Sequence, residues 1–108
     1  MKREPGERIL DMLQAIERIE RYAGRGKDAF EKDELIQTWI VHHLQVIGEA
    51  AAKLPEEFRL AHSDIPWPQI VAMRNLLVHE YFGVDPDAVW NVVLRDLPGL
   101  KEQLARLA

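Results

Sequence analysis

Cysteine is absent from this chain, which excludes a disulfide framework, a thiolate metal site and a cysteine nucleophile. Also missing is any apolar run approaching the ~20 residues that a membrane-spanning helix requires. No apolar signal-peptide stretch stands behind the opening Met1-Lys2-Arg3-Glu4-Pro5, so a cytoplasmic location is expected. Positive charge is not in excess. The formal net charge is −4, whereas a general nucleic-acid coat draws its affinity from Lys and Arg that neutralise phosphates. A local basic cleft stays compatible with that balance. Strand-like alternation, internal repeats and low-complexity tracts are lacking too, as is a glycine-rich phosphate loop.

What remains is an ordinary globular composition, 47% hydrophobic and 30% charged over 108 residues. Such a chain buries one modest core and has no room for a second domain, so residues 1–108 are expected to form a single domain. From about Glu4 to Tyr22, Ile9, Met12, Leu13, Ile16 and Ile19 recur at three- and four-residue steps, the pattern of an amphipathic helix. Gly24 and Gly26 can end it, and Lys27 to Lys32 reads as loop. Asp33 can cap a second helix that runs to about Leu54 and is closed by Pro55. This helix carries two apolar stripes: Ile36, Ile40, Leu44, Ile47, Ala51 and Leu54 on one side, Leu35, Trp39, Val46 and Ala50 on another. A helix apolar on two sides is buried on two sides, and so short a chain has helices enough to cover only one comfortably, which predicts a homodimer interface.

Pro55 to Ile65 reads as a connector with one helical turn through Glu56-Glu57-Phe58. A third helix starts near Pro66-Trp67-Pro68 and runs to about Phe82, with Gly83 as its stop. Asp85-Pro86 repeats the cap-then-proline start, and Val89, Val92, Val93, Leu97, Leu100 and Leu104 mark a last helix bent or broken at Pro98-Gly99. The fold class expected is all-α, an up-and-down bundle of four main helices.

The third helix holds the chemistry. Ile70, Met73, Leu76 and Leu77 form its predicted core-facing arc, with Arg74, Asn75, His79 and Tyr81 outside it. Asn75 and His79 are one turn apart, whereas Arg74 and His79 are separated by about 140° of rotation. One helix does not easily aim both at the same phosphate, but two copies packed around a two-fold axis can present both to one cleft. An imidazole can take a proton from an RNA 2′-hydroxyl or give one to a leaving 5′-oxygen near neutral pH. A forked guanidinium can stabilise the added negative charge on phosphorus. Asn75 can orient the imidazole or hold the phosphate, and Glu49 can face the motif and position a catalytic group.

Arg74-Asn75-x-x-x-His79 is an R-x-x-x-x-H motif extended by His79-x-Tyr81, and it resembles the HepT-like branch of the HEPN ribonuclease superfamily. The flanks are similar as well: Val46-Ile-Gly-Glu-Ala-Ala51, Ile65-Pro-Trp67, Tyr81-Phe-Gly-Val-Asp85 and Val89-Trp90. The similarity covers nearly the whole chain. It implies a dimeric helical bundle whose Arg74 and His79 cleave RNA without a metal and leave a cyclic phosphate. It also implies a toxin whose partner is an MNT-type nucleotidyltransferase antitoxin that transfers AMP onto Tyr81. A bulky anionic nucleotide beside Arg74 and His79 would fill the cleft and cancel its positive field.

Plainer readings compete at each position. Arginine and histidine on a helix are most often surface residues, and a histidine near a helix C-terminus is favoured there by the helix dipole when charged. Tyr81 can be a packing residue with a wet hydroxyl, and Trp39, Trp67 and Trp90 read as core or interface anchors, with nucleic-acid stacking a distant second reading. His42, His43, His62 and His79 form no His-x-x-x-His or Glu-x-x-His pair, so no metal or other cofactor is expected. Two other classes fit the same helices: a non-catalytic regulator that binds a nucleotidyltransferase without cutting RNA, and a small helical nucleotide-binding regulator.

Overall fold

The computed structural model describes residues 4–79 and 84–108. Helices run in the order α1 (Pro5–Ala23), α2 (Lys27–Lys32), α3 (Glu34–Ala52), α4 (Glu56–Ala61), α5 (Trp67–His79), α6 (Pro86–Asn91) and α7 (Leu97–Ala105). Among the described residues there is no strand, and the all-helical bundle expected from periodicity is what forms.

Pro5 opens α1 in its first turn, where a missing N–H costs nothing. Ile9, Met12, Ala15, Ile16 and Ile19 then line its buried face, each large side chain contributing about 1.5–3 kcal/mol of burial. That face lies on α3, the central rod of the molecule, and α5 packs on α3 from another side. Asp33 caps α3 by accepting from the Leu35 N–H at 2.9 Å. Asp85 caps α6 in the same way from the Asp87 N–H at 3.0 Å, so both aspartates expected as caps perform that role.

Segment 27–32, expected to be a loop, is the short helix α2. Its existence depends on contacts far away in sequence. Phe30 is buried and stacks on Trp90 of α6 with ring centroids 5.2 Å apart. The Gln37 side chain donates to the Phe30 and Glu31 carbonyls at 2.9 and 3.0 Å, satisfying acceptors that the end of a six-residue helix leaves open. Gly26 enters α2 at φ 93°, a conformation costly for any residue with a Cβ.

The last rod also differs from expectation. Between α6 and α7 the backbone does not break at Pro98-Gly99; it passes through a π-helical turn at Val92–Asp96. Pro98 has no N–H and its ring presses on the carbonyl one turn earlier, at Leu94, so the wider turn takes up the strain without ending the helix. Both apolar stripes of α3 are covered within one chain: Ala50 is buried, Trp39 and Val46 are half-buried, and only Leu35 stands out, at 80% exposure. Trp39 explains much of this, because it leans on Tyr22 of α1 and its Nε1–H donates to the Arg18 carbonyl at 2.8 Å. The stripes therefore do not by themselves call for a second copy.

Candidate active site

The site is built where α5 crosses α3. Gly48, in the C-terminal third of α3, is buried against α5. A Cβ on it would fall inside the Arg74 side chain, 2.8 Å from Arg74 Cγ and 3.2 Å from the Ile70 carbonyl oxygen. A glycine inside a helix costs about 1 kcal/mol against alanine, and here it allows the backbones to approach and gives the Arg74 stem a seat. Nearby, Gln45 Nε2 donates to the Leu77 carbonyl at 3.5 Å. Antiparallel travel follows: Arg74 lies at the level of Gly48, and the later Leu77 at the level of the earlier Gln45.

Arg74 does not lie outside the core-facing arc of α5. Ile70, Arg74 and Leu77 follow one another by four and three residues, so they share the side that packs on α3. The arc is rotated from the expected one, because Leu76 is 58% exposed and Met73 only half-buried, while Ile70 and Leu77 are buried. The reason is the slot at Gly48, which accepts a long polar stem where an apolar side chain was expected.

From that slot the guanidinium is held twice. Arg74 Nη1 is ion-paired with Glu49 Oε2 of α3, and Arg74 Nε donates to Asn75 Oδ1 at 2.8 Å. The Arg74 side chain is 20% exposed and that of Glu49 50%, so one edge of the pair faces solvent. This arrangement fixes the direction of the charge and leaves room for an anion to share it. Asn75 is exposed and turned to Arg74 by this hydrogen bond.

His79 is the last described residue of α5 and is exposed. Five residues separate it from Arg74, about 7.5 Å along the axis and about 140° around it. Within one chain, then, the structure brings Arg74, Asn75 and Glu49 together and leaves His79 on another side of the same helix. Tyr81 lies outside the described residues. Gly48 and Gln45 were not anticipated as parts of the site; an isolated glycine within an otherwise apolar helix was the available signal.

The other notable imidazole belongs to the interior. His43 is buried beneath Trp39, with ring centroids 4.4 Å apart, and its Nδ1 is 2.8 Å from the Trp39 carbonyl. Burial holds its pKa below the usual histidine value, more strongly than the Trp39 carbonyl raises it, with smaller lowering contributions from His42 and Arg18. The neutral ring then donates from Nδ1 to that carbonyl.

A protein-family model described as Ribonuclease HepT-like matches residues 12–107. Over 89 residues the chain is 42% identical to a protein of Caldanaerobacter subterraneus subsp. tengcongensis named "Putative RNase", covering 82% of this chain and 80% of that one. It is 36% identical over 108 residues to "Probable ribonuclease HepT" of Thermococcus cleftensis, covering 99% and 98%. A "Putative RNase" of Methanocaldococcus jannaschii is 30% identical over 100 residues, covering 92% and 83%. No solved structure matches.

Proposed function

We propose, from the premise that this chain belongs to the HepT-like ribonuclease family, that it is a metal-independent endoribonuclease in which Arg74 and His79 carry the reaction. The observation that carries this reading is the preparation of Arg74: a glycine seat beneath its stem, a carboxylate and an amide on its guanidinium, and an open edge. These contacts hold the guanidinium in one direction, and a fixed charge is what a transition state with extra negative charge rewards.

In the proposed reaction the 2′-hydroxyl of RNA loses its proton to an imidazole and its oxygen attacks the adjacent phosphorus. The 5′-oxygen leaves with a proton from an imidazolium, and the strand ends in a 2′,3′-cyclic phosphate. No water enters the cleaved bond at this stage. Arg74 shares its guanidinium between Glu49 and a non-bridging phosphate oxygen, and Asn75 keeps it aimed. Because His79 and Arg74 leave α5 on different sides, a homodimer with a two-fold axis near α5 supplies the pairing of one protomer's Arg74 with its partner's His79.

The biological role that follows is a toxin silenced by an MNT-type nucleotidyltransferase antitoxin that adds AMP to Tyr81. Purified protein incubated with RNA in EDTA, beside His79→Ala, tests the enzyme: cleavage by the parent alone, with cyclic phosphate ends, is expected. Equal cleavage by both proteins sinks the assignment. Intact mass after incubation with the antitoxin and ATP should rise by one adenylyl group, and a Tyr81→Phe variant should stay unchanged.

A further inference from the structure

A second hollow lies at the N-terminal end of α3, away from the motif helix. It has a volume of about 440 Å³ and is lined by Tyr22 near the end of α1, by Arg25 just beyond it, and by Asp33, Leu35, Trp39 and His42. Its wall is unusually aromatic for this chain: Tyr22 meets Trp39 edge-on at 5.4 Å, and the Arg25 guanidinium lies over the Tyr22 ring at 4.9 Å. Leu35, 80% exposed, forms an apolar lip. Arg25 and His42 at the rim are both exposed. The rim carboxylate, Asp33, has one oxygen engaged by the Leu35 N–H.

One face of α3 links the hollow to the candidate active site. Thr38, His42, Gln45 and Glu49 follow one another by four, three and four residues, so they form one polar stripe on α3. That stripe begins at the hollow, passes Gln45 on the Leu77 carbonyl and ends at Glu49 on Arg74. From His42 to Glu49 the axial rise is about 10 Å, a distance that a short stretch of extended single strand covers.

We infer that the Tyr22–Trp39–His42 hollow is a nucleobase subsite, which takes one unstacked base of the single-stranded RNA whose backbone reaches Arg74. The chemistry fits this occupant. The half-buried Trp39 indole, met edge-on by Tyr22, offers an aromatic surface against which a base of any sequence can stack, and the Arg25 guanidinium at the rim can receive a flanking phosphate. Arg25, stacked by its face on Tyr22, keeps its N–H edge free for a phosphate oxygen. The volume suits one small ring system and not a folded partner. The inference rests on the ribonuclease reading for the identity of the strand.

Binding of a 2′-O-methyl oligoadenylate, which lacks the attacking hydroxyl, tests it through tryptophan emission. Trp67 and Trp90 are 2% and 5% exposed, so a stacking base reports through half-buried Trp39. Saturable quenching is expected, and the Arg25→Gln/His42→Ala double variant should bind about tenfold more weakly. Wild-type protein should lose a similar factor when the strand is abasic. On cleavable RNA the double variant should keep kcat and raise KM about tenfold. Unchanged affinity in the double variant, or for the abasic strand, overturns the subsite. Quenching by free AMP as strong as by the oligonucleotide overturns RNA as the occupant. Cleavage that persists in His79→Ala sinks the ribonuclease reading but leaves this binding readout standing, so the two failures are distinguishable.

Discussion

Arg74 and His79 sit on the same helix, yet the molecule treats them differently. The arginine is seated on Gly48 and tied to Glu49 and Asn75, with a side chain only 20% exposed. The histidine, at the last described position of α5, is exposed to solvent. In the proposed reaction, the group that presents charge is pre-oriented by its own chain, whereas the group that moves a proton is left accessible. A fixed dipole or charge needs no reorganisation at the moment of reaction, but a proton shuttle must approach substrate atoms from a protomer or direction the single chain does not dictate. The contrast predicts that changes around Arg74 disturb both stability and catalysis, and that changes at His79 disturb catalysis alone.

The sharpest break of that contrast is removal of each group in turn. His79→Ala should lower RNA cleavage by about 10²–10⁴-fold with an unchanged urea midpoint. Arg74→Ala should lower it by about 10²–10³-fold and also shift the midpoint, because Glu49 loses its partner and the slot over Gly48 empties. Equal effects of the two on stability would erase the distinction. Next in size is Gly48→Ala: the added methyl collides with Arg74 and the α5 backbone, so α3 and α5 must part. A loss of about 1–3 kcal/mol in denaturant unfolding is expected, exceeding the ~1 kcal/mol of added helix propensity, together with weakened cleavage. A stabilised Gly48→Ala protein would show that the crossing is not tight.

Glu49→Gln probes orientation more gently. Both partners are partly exposed, so stability should change by less than about 1 kcal/mol. The rate constant for cleavage should fall about tenfold with KM little altered, as expected when a charge is misaimed and substrate is still bound. The smallest effect concerns the buried imidazole. His43 has a folded-state pKa below its ordinary value, so the unfolded chain binds the extra proton first. Stability is full above about pH 6.5 and declines as pH falls below it. His43→Gln should flatten that decline in urea midpoints while leaving the pH profile of cleavage unchanged. A shifted cleavage profile would place His43 in the reaction after all.

Much of the fold was legible because its signals are local. Asp33 and Asp85 cap helices wherever they stand before a suitable first turn. The three- and four-residue recurrence of Ile9, Met12, Ile16 and Ile19 selects one face of α1 whatever packs on it. Helix α2 was not legible, since its six residues persist only through Phe30 on Trp90 and the reach of Gln37. Apolarity marked both sides of α3 for burial but not their partners; the Trp39 indole, bonded to the Arg18 carbonyl, assigns one of them to α1.

At the site the same division holds. Residue type and spacing offered Arg74, Asn75, His79 and Glu49 as candidates, and the resemblance of the flanking segments, not the residue types alone, set them apart from ordinary surface residues. That Arg74 points into the helix crossing was decided only by tertiary structure: a side chain's freedom to enter a packed interface depends on whether the opposing surface has a gap. One-dimensional periodicity treats every polar residue as outward, but the missing Cβ of Gly48, 26 positions earlier in the chain, makes that gap. Sequence fixes which groups are present and where helices begin; packing decides which of those groups are held still.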